Sequence, residues 1–125
     1  MMKVWIVAVG MALVFALNGG LAEAAEAAKG KKVFNKCKIC HSLKKGKKML
    51  GPSLHGFIGR TAGTVKGFRY SKAMKKSGVV WDDKTLDTFL TKPEKFVPGT
   101  KMKFRGLKKK TDRDNLIAYL KEAAK

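Results

Sequence analysis

Apolar residues recur at helical spacing near both ends of the chain. The first stripe predicts a helix from Ala25 to Lys36, and its members are Gly30, Val33, Phe34 and Cys37. The second stripe predicts a last helix with Thr111 as its N-cap, and its members are Leu116, Ile117, Tyr119 and Leu120. Because Gly30 lets another helix approach closely, we expect the two helices to cross, with Gly30 and Phe34 meeting Leu116 and Tyr119.

The middle of the chain predicts two shorter helices joined by irregular loops. Asp82 is a good N-cap for a helix from Asp83 to about Thr91, whose buried face would be Leu86, Phe89 and Leu90. Ser71 would cap a short helix that ends at Lys76. Glycines make the stretch from 56 to 67 irregular, and Pro98-Gly99 is a turn signal in a loop from 96 to 104. No stretch predicts a sheet, so the expected fold class is all-α.

The first 24 residues have the pattern of a secretory signal peptide. Lys3 precedes an uncharged apolar run from Val4 to Leu17, and Ala22-Glu23-Ala24 resembles a cleavage site. The run is shorter than the roughly 20 residues of a spanning helix, although an uncleaved membrane anchor is an alternative. We therefore divide the chain into a signal peptide, 1–24, and one small domain, 25–125, in the periplasm.

Charge is the strongest compositional feature. The chain has 28 Lys and Arg against 9 Asp and Glu, a formal net charge of +19. Such an excess suits nucleic acid, an acidic protein or a membrane surface. We expect no nucleic-acid partner, because the chain looks exported and has none of the standard binding motifs. Lysine-rich docking onto an acidic protein is the favoured interpretation.

The only two cysteines stand in Cys37-Lys38-Ile39-Cys40-His41. C-x-x-C-H is the attachment signature of c-type haem, in which both thiols bond the porphyrin and the histidine ligates the iron. A dithiol redox pair would need a thioredoxin-like βαβ context, and a zinc site would need four ligands, of which the domain offers only these three and His55. A domain of this size has a marginal apolar core, so we expect the haem-free chain to fold poorly.

Further residues suit a haem site. The Pro52 carbonyl is a candidate acceptor for the second ring N–H of His41, and Arg60, Tyr70 and Trp81 are candidate donors to the haem propionates. A Met/His axial pair suits electron transfer. Three methionines qualify by position in the domain, and they are Met49, Met74 and Met102. Met102 is favoured because its irregular segment lies far from His41 along the chain.

Residues 29 to 125 resemble the class I c-type cytochromes, with mitochondrial cytochrome c and bacterial cytochrome c2 as the nearest groups. The motifs that carry the resemblance are CKICH at 37–41, GPSLHG at 51–56, GR at 59–60, GFRY at 67–70, Trp81, PGTKM at 98–102 and LIAYLK at 116–121. The family implies a small all-α cytochrome c fold, with crossed N- and C-terminal helices around one covalently attached haem c.

The resemblance also implies a role for each matching residue. Cys37 and Cys40 would carry the thioether bonds, and His41 and Met102 would be the axial ligands. Pro52 would orient His41, and Thr100 would help to seat the haem. The propionates would bind Arg60, Tyr70 and Trp81.

Four features depart from the family pattern. The segment between Phe34 and Cys37 is one residue shorter than in the mitochondrial form. Met74 stands where asparagine is common, and Phe89 where a tyrosine often bonds the methionine sulfur. These two changes predict a drier pocket and a higher reduction potential. Glu94 replaces a frequent docking lysine, which leaves as candidates Lys36, Lys101, Lys108, Lys109 and Lys110.

The function that follows is one-electron transport by a monomeric carrier rather than catalysis. Expected partners are membrane complexes with acidic docking surfaces, namely a bc-type complex, an oxidase or a photosynthetic reaction centre. The alternative is a haem peroxidase or small-ligand sensor with a labile Met102. A lipid-binding cation would explain the charge but not the C-x-x-C-H motif.

Overall fold

The computed structural model describes the backbone of residues 17–125 and the side chains of residues 22–125. Five helices follow in the order α1 (Leu17–Phe34), α2 (Lys72–Lys76), α3 (Asp83–Thr91), α4 (Pro93–Phe96) and α5 (Lys110–Ala123). In this part of the chain the only β pairing is an isolated antiparallel bridge between Thr61 and Val80. The predicted all-α class is confirmed. None of the helices in residues 17–125 is both long enough and apolar enough to cross a membrane.

Helices α1 and α5 make the most extensive helix–helix contact of the fold, as the two apolar stripes predicted. The Phe34 and Tyr119 rings lie 5.5 Å apart between centroids. A Cβ atom on Gly30 would overlap the Asn115 carbonyl oxygen and lie 2.8 Å from Cβ of Tyr119. Close approach of the two helices therefore requires glycine at position 30.

Two predicted helix boundaries are wrong. Helix α1 begins at Leu17 rather than Ala25 and ends at Phe34 rather than Lys36. Ala22-Glu23-Ala24 favours helix directly upstream of position 25, although the two glycines before it do not, and after Phe34 hydrogen bonds between residues three apart replace most of the α-helical bonding. The signal-peptide prediction falls mostly on residues 1–16, which lie outside the described residues.

Thr111 is not the N-cap of the last helix. Helix α5 begins at Lys110, and Lys109 occupies the cap position without a side-chain hydrogen bond. The Arg113 guanidinium instead binds the carbonyl oxygens of Leu107 and Lys108, at 2.8 and 3.0 Å. These bonds fix the backbone that enters α5, so the helix start does not need a threonine cap.

The two central helices have the predicted caps. The Ser71 hydroxyl accepts from the Met74 amide at 3.0 Å. Asp82 and Thr85 form a reciprocal capping box at the start of α3, and the Thr85 amide lies 2.8 Å from Oδ1 of Asp82. Hydrogen bonds from the Thr85 amide and, secondly, the Thr85 hydroxyl hold the pKa of the exposed Asp82 carboxyl below its usual value. Pro93 occupies the first position of α4, where proline needs no amide partner.

The core consists of two clusters of buried side chains. The first joins the α1–α5 crossing to α3 and includes Phe34, Leu86 and Leu116. The second lies around α2 and the α3–α4 region and includes Met74, Phe89 and Val97. Trp81 packs against both clusters. The candidate site is the cleft between them.

Candidate functional site

The C-x-x-C-H motif forms one tight turn directly after α1. The Cys37 carbonyl accepts hydrogen bonds from the amides of Cys40 and His41, each at 3.0 Å. The Cys37 amide itself donates to the Phe34 carbonyl at 2.8 Å, which links the turn to the helix end. Both cysteine side chains and the imidazole line the same cleft. This arrangement agrees with the close placement expected from the spacing.

Cys37 and Cys40 are both free thiols and half-buried. Burial, reinforced by the neighbouring Cys40 sulfur, raises the pKa of the Cys37 thiol to about 11 despite the opposing effect of Lys36. In residues 17–125 no group of three or more His, Cys, Asp or Glu side chains is placed to hold a metal ion. The zinc interpretation therefore has no support from the geometry.

A backbone carbonyl fixes the orientation of His41. Its Nδ1 lies 2.8 Å from the carbonyl oxygen of Pro52. Because a carbonyl only accepts, Nδ1 carries the proton and Nε2 keeps a free lone pair. Burial lowers the pKa of His41, which favours this neutral form.

Gly51 is a site residue that sequence reasoning missed. A Cβ at this position would lie 2.7 Å from Nδ1 of His41, so only glycine fits beside the ring. The Gly51 amide also donates to the Cys40 carbonyl at 2.8 Å. The Gly51-Pro52 pair thus positions the imidazole from two sides, and the motif at 51–56 had assigned a role only to Pro52.

Met102 lies on a loop that returns to the cleft after α4. The Thr100 hydroxyl accepts from the Met102 amide at 3.3 Å, and the Thr100 amide donates to the Val97 carbonyl at 3.0 Å. Met102 is half-buried and packs against the second core cluster. Met74 also lines the cleft, whereas Met49 is 42 % exposed and does not.

The three predicted propionate donors are brought together on one side of the cleft. The Trp81 amide donates to the Arg60 carbonyl at 3.0 Å, which places these two residues side by side. The Arg60 guanidinium donates to the His55 carbonyl at 3.1 Å. The Tyr70 hydroxyl accepts from the Val65 amide at 3.3 Å, so its own proton is available, and burial raises its pKa. The Trp81 indole N–H bonds to no side chain or carbonyl of the described residues.

An ion pair secures the backbone that follows the Met102 loop, and sequence reasoning missed it. Nε of Arg113 lies 2.7 Å from Oδ1 of Asp87, in addition to its two bonds to carbonyls. The Leu107 amide donates to the Leu90 carbonyl at 2.7 Å. An arginine in the first turn of a helix is unfavourable because its positive charge opposes the helix dipole. The position of Arg113 was therefore the sequence signal that could have indicated a structural role for this side chain.

The cleft has the chemistry of a haem site. Its volume is about 400 Å³, and its walls are mainly apolar side chains of both core clusters. Paired thiols, a neutral imidazole and a thioether open into it, together with the three polar donors described above. This donor set matches the one that c-type haem requires, with His and Met as axial candidates.

Comparisons with known proteins agree with this geometry. The family model described as cytochrome c matches residues 27–124. Cytochrome c of Euglena viridis is 50% identical over 97 residues, which cover 77% of this chain and 95% of that protein. Cytochrome c2 of Rhodoblastus acidophilus is 51% identical over 94 residues, which cover 74% of this chain and 88% of that protein.

A solved structure supports the same assignment. Cytochrome cH from Methylobacterium extorquens superimposes with a TM-score of 0.72 at 46% identity, covering 76% of this chain and 96% of that one. The matched region contains the motif turn, the Met102 loop and the crossing helices. The chain therefore belongs to the cytochrome c family, whose members bind one covalently attached haem c and carry electrons.

Proposed function

We propose that this protein is a periplasmic one-electron carrier that exchanges electrons with membrane complexes through the mouth of its haem cleft. The observation that carries the proposal is the meeting of His41, Met102 and the two thiols in one apolar cleft. The haem supplies an iron that alternates between the ferrous and ferric states.

Cys37 and Cys40 would hold the porphyrin through thioether bonds, and His41 and Met102 would be the protein ligands of its iron. The Pro52 carbonyl accepts a hydrogen bond from Nδ1–H of His41, which fixes the ring and leaves the Nε2 lone pair free for the iron. Thr100 shapes the loop that presents the Met102 sulfur. Because His41 and Met102 would both ligate the iron, the chain itself would occupy the positions that peroxide or a gas needs, which favours a carrier over a peroxidase or sensor.

Arg60, Tyr70 and Trp81 would bind the haem propionates. The Tyr70 hydroxyl and the Trp81 indole each keep a proton to donate, and Arg60 adds a positive charge beside them. Charge-assisted hydrogen bonds of this kind stabilise carboxylates in an otherwise apolar site.

Exposed lysines steer the protein to acidic partners. Lys36 and Lys101 stand at the cleft, and Lys103 joins them as a position that sequence reasoning missed. The start of α5 adds Lys108, Lys109 and Lys110, which are also exposed. With a net charge of +19 the protein repels its own copies, so we expect a monomer whose partners are a bc-type complex, an oxidase or a reaction centre.

Export to the periplasm rests on the signal-like residues 1–24. Cleavage near Ala24 would leave residues 25–125 as the haem domain. Cell fractionation followed by N-terminal sequencing of the haem-loaded protein tests both points. A mature protein that begins at Met1 in the membrane fraction would instead establish an uncleaved anchor.

Steady-state turnover with a purified bc-type complex tests the docking proposal. We expect KM to rise steeply with ionic strength, because salt screens the lysine–carboxylate attraction. Lys101→Gln should flatten this dependence, whereas Lys84→Gln removes the same charge from an exposed position of α3 away from the cleft and should change it little. A salt-independent KM for the unmodified protein would contradict electrostatic docking.

A further inference from the structure

The three methionines of residues 17–125 differ in their exposure to solvent. Met49 is 42 % exposed and Met74 8 %, whereas Met102 is half-buried beside the second core cluster. Met49 belongs to neither core cluster and does not line the cleft, so a haem in the cleft leaves its side chain open to water. Met49 therefore does not fill space in the core, which is the usual role of methionine.

Exposure decides which methionine sulfur meets an oxidant first. Two-electron oxidants convert the thioether to a sulfoxide, which turns an apolar side chain into a polar one. Met74 is shielded by its burial, and Met102 would have a sulfur lone pair engaged by the iron. The Met49 sulfur has neither protection, so it is the thioether of the described chain that reacts most readily.

The charges around Met49 select the kind of oxidant. Lys47 and Lys48 directly precede it and are exposed, and the exposed Lys44 lies on the same loop. The Lys47 amide donates to the Lys44 carbonyl at 3.2 Å, which closes this loop into a turn. No Asp or Glu occurs in the sequence from 27 to 81. An anion is therefore attracted to this loop, since opposite charges within a few ångströms attract even in water.

Oxidation of Met49 leaves the haem site in place. The Met49 amide donates to the Gly51 carbonyl at 3.0 Å, and the Gly51 amide donates to the Cys40 carbonyl at 2.8 Å. These backbone bonds hold the loop against the motif turn whatever the oxidation state of the side chain. Because that side chain is exposed, the new sulfoxide oxygen is solvated by water and carries no burial cost.

Oxidation of Met102 would have the opposite consequence. This side chain packs against the cluster that contains Met74, Phe89 and Val97. A sulfoxide there would place a polar oxygen among apolar side chains and would replace the thioether that suits the iron. The chain therefore benefits if an oxidant is consumed at Met49 before it reaches the cleft.

We propose that Met49 is a sacrificial oxidation site for anionic peroxy acids, such as peroxymonocarbonate or peroxymonosulfate, and that it protects the Met102 sulfur. The inference rests on the proposed ligation of iron by Met102. The peroxy acid transfers its terminal oxygen to the Met49 sulfur: the O–O bond breaks, an S–O bond forms and the sulfur is oxidised by two electrons. The peroxy proton moves to the leaving oxygen, so the acid is reduced to hydrogencarbonate or hydrogensulfate. A methionine sulfoxide reductase restores the thioether.

The first test treats the ferric, haem-loaded protein with one molar equivalent of peroxymonosulfate at low ionic strength. Peptide mass spectrometry locates the sulfoxide, and the far-red absorption band reports the bond between Met102 and the iron. We expect sulfoxide mainly at Met49 and an almost unchanged band. Met49→Leu, which keeps an apolar side chain of similar size, should lose about three times as much of the band under the same treatment.

A second exposed thioether provides a matched control within one molecule. Val80 is 45 % exposed and does not line the cleft, but the exposed carboxylates of Asp82 and Asp83 follow it closely in the chain. In Val80→Met we expect about fivefold more sulfoxide at Met49 than at the introduced thioether, a factor of the size that one contact between unit charges gives in water. The excess should fall toward equality as the ionic strength rises, because salt screens the attraction.

Three outcomes would overturn the proposal. One is loss of the far-red band in the unmodified protein while Met49 remains a thioether. Another is an equal loss of the band in Met49→Leu and in the unmodified protein. The third is equal oxidation of the two exposed thioethers of Val80→Met at low ionic strength. Absence of the band before any oxidant is added would contradict iron ligation by Met102 and with it the carrier function, which is a separate result.

Discussion

At the scale of single residues, the surroundings of Met102 distinguish this chain from the usual family pattern. Phe89 and Met74 are both buried and line the cleft, and both belong to the core cluster on which Met102 packs. The Phe89 ring is enclosed by Trp81 at 4.9 Å and Phe96 at 6.4 Å between centroids. Neither position offers the polar group that is common there in the family.

We predict that Phe89→Tyr and Met74→Asn each lower the reduction potential. A polar group near the iron stabilises the more highly charged ferric state, whereas an apolar wall does not. One hydrogen bond of about 0.5–1.5 kcal/mol corresponds to a shift of roughly 20–60 mV for a one-electron couple. Redox titration measures the shift, and Phe96→Tyr, which adds the same hydroxyl away from the cleft lining, is the control. Unchanged potentials in both variants would show that these residues do not set the polarity of the site.

At the scale of helices, the α1–α5 crossing depends on the absence of a side chain at position 30. We predict that Gly30→Ala destabilises the protein by about 1–3 kcal/mol, the usual cost of overpacking. The gain in helix propensity, about 1 kcal/mol, is smaller than this cost. Denaturant unfolding of the haem-loaded variant measures the difference, with the exposed neighbour Lys31→Ala as the control. An increase in stability would mean that the two helices are not in close contact.

The ion pair between Arg113 and Asp87 joins α5 to α3 and to the backbone after the Met102 loop. Arg113→Leu leaves the Leu107 and Lys108 carbonyls and the Asp87 carboxylate without their partner, so we expect a loss of about 2–4 kcal/mol. Lys121→Leu breaks the pair with Asp83, in which both side chains are largely exposed, and should cost less than about 1 kcal/mol. Equal losses of unfolding free energy in the two variants would contradict a special role for Arg113.

Local sequence signals predicted the elements that local interactions determine. Three such elements are as expected. They are helix α3 with its Asp82 cap, the Ser71 cap of α2 and the turn of the C-x-x-C-H motif. The errors and omissions arise where contacts between residues far apart in the sequence determine the local structure. The start of α5 depends on bonds from the Arg113 guanidinium, and that side chain pairs with Asp87, 26 residues away. Gly51 matters only because a distant imidazole ring lies against it.

At the scale of the whole molecule, the cleft separates the two core clusters. In a chain without haem the apolar walls of both clusters would face water. A domain of about 100 residues has only a marginal apolar core to offset this exposure. We therefore predict that the Cys37→Ser, Cys40→Ser double variant, which cannot attach haem, unfolds with low cooperativity. Near-ultraviolet circular dichroism and thermal melting measure this. A sharp melting transition in the double variant would show that the polypeptide core suffices.

The absorption spectrum of the oxidised, haem-loaded protein tests the central claim most directly. If His41 and Met102 fill both axial positions, the weak far-red band of methionine-bound ferric haem should be present. Added azide should barely disturb it, and Met102→Ala should abolish it. Absence of the band in the unmodified protein, or ready binding of azide, would show that the sixth position is open or held by another side chain, and the carrier account would be contradicted in favour of a peroxidase or ligand sensor.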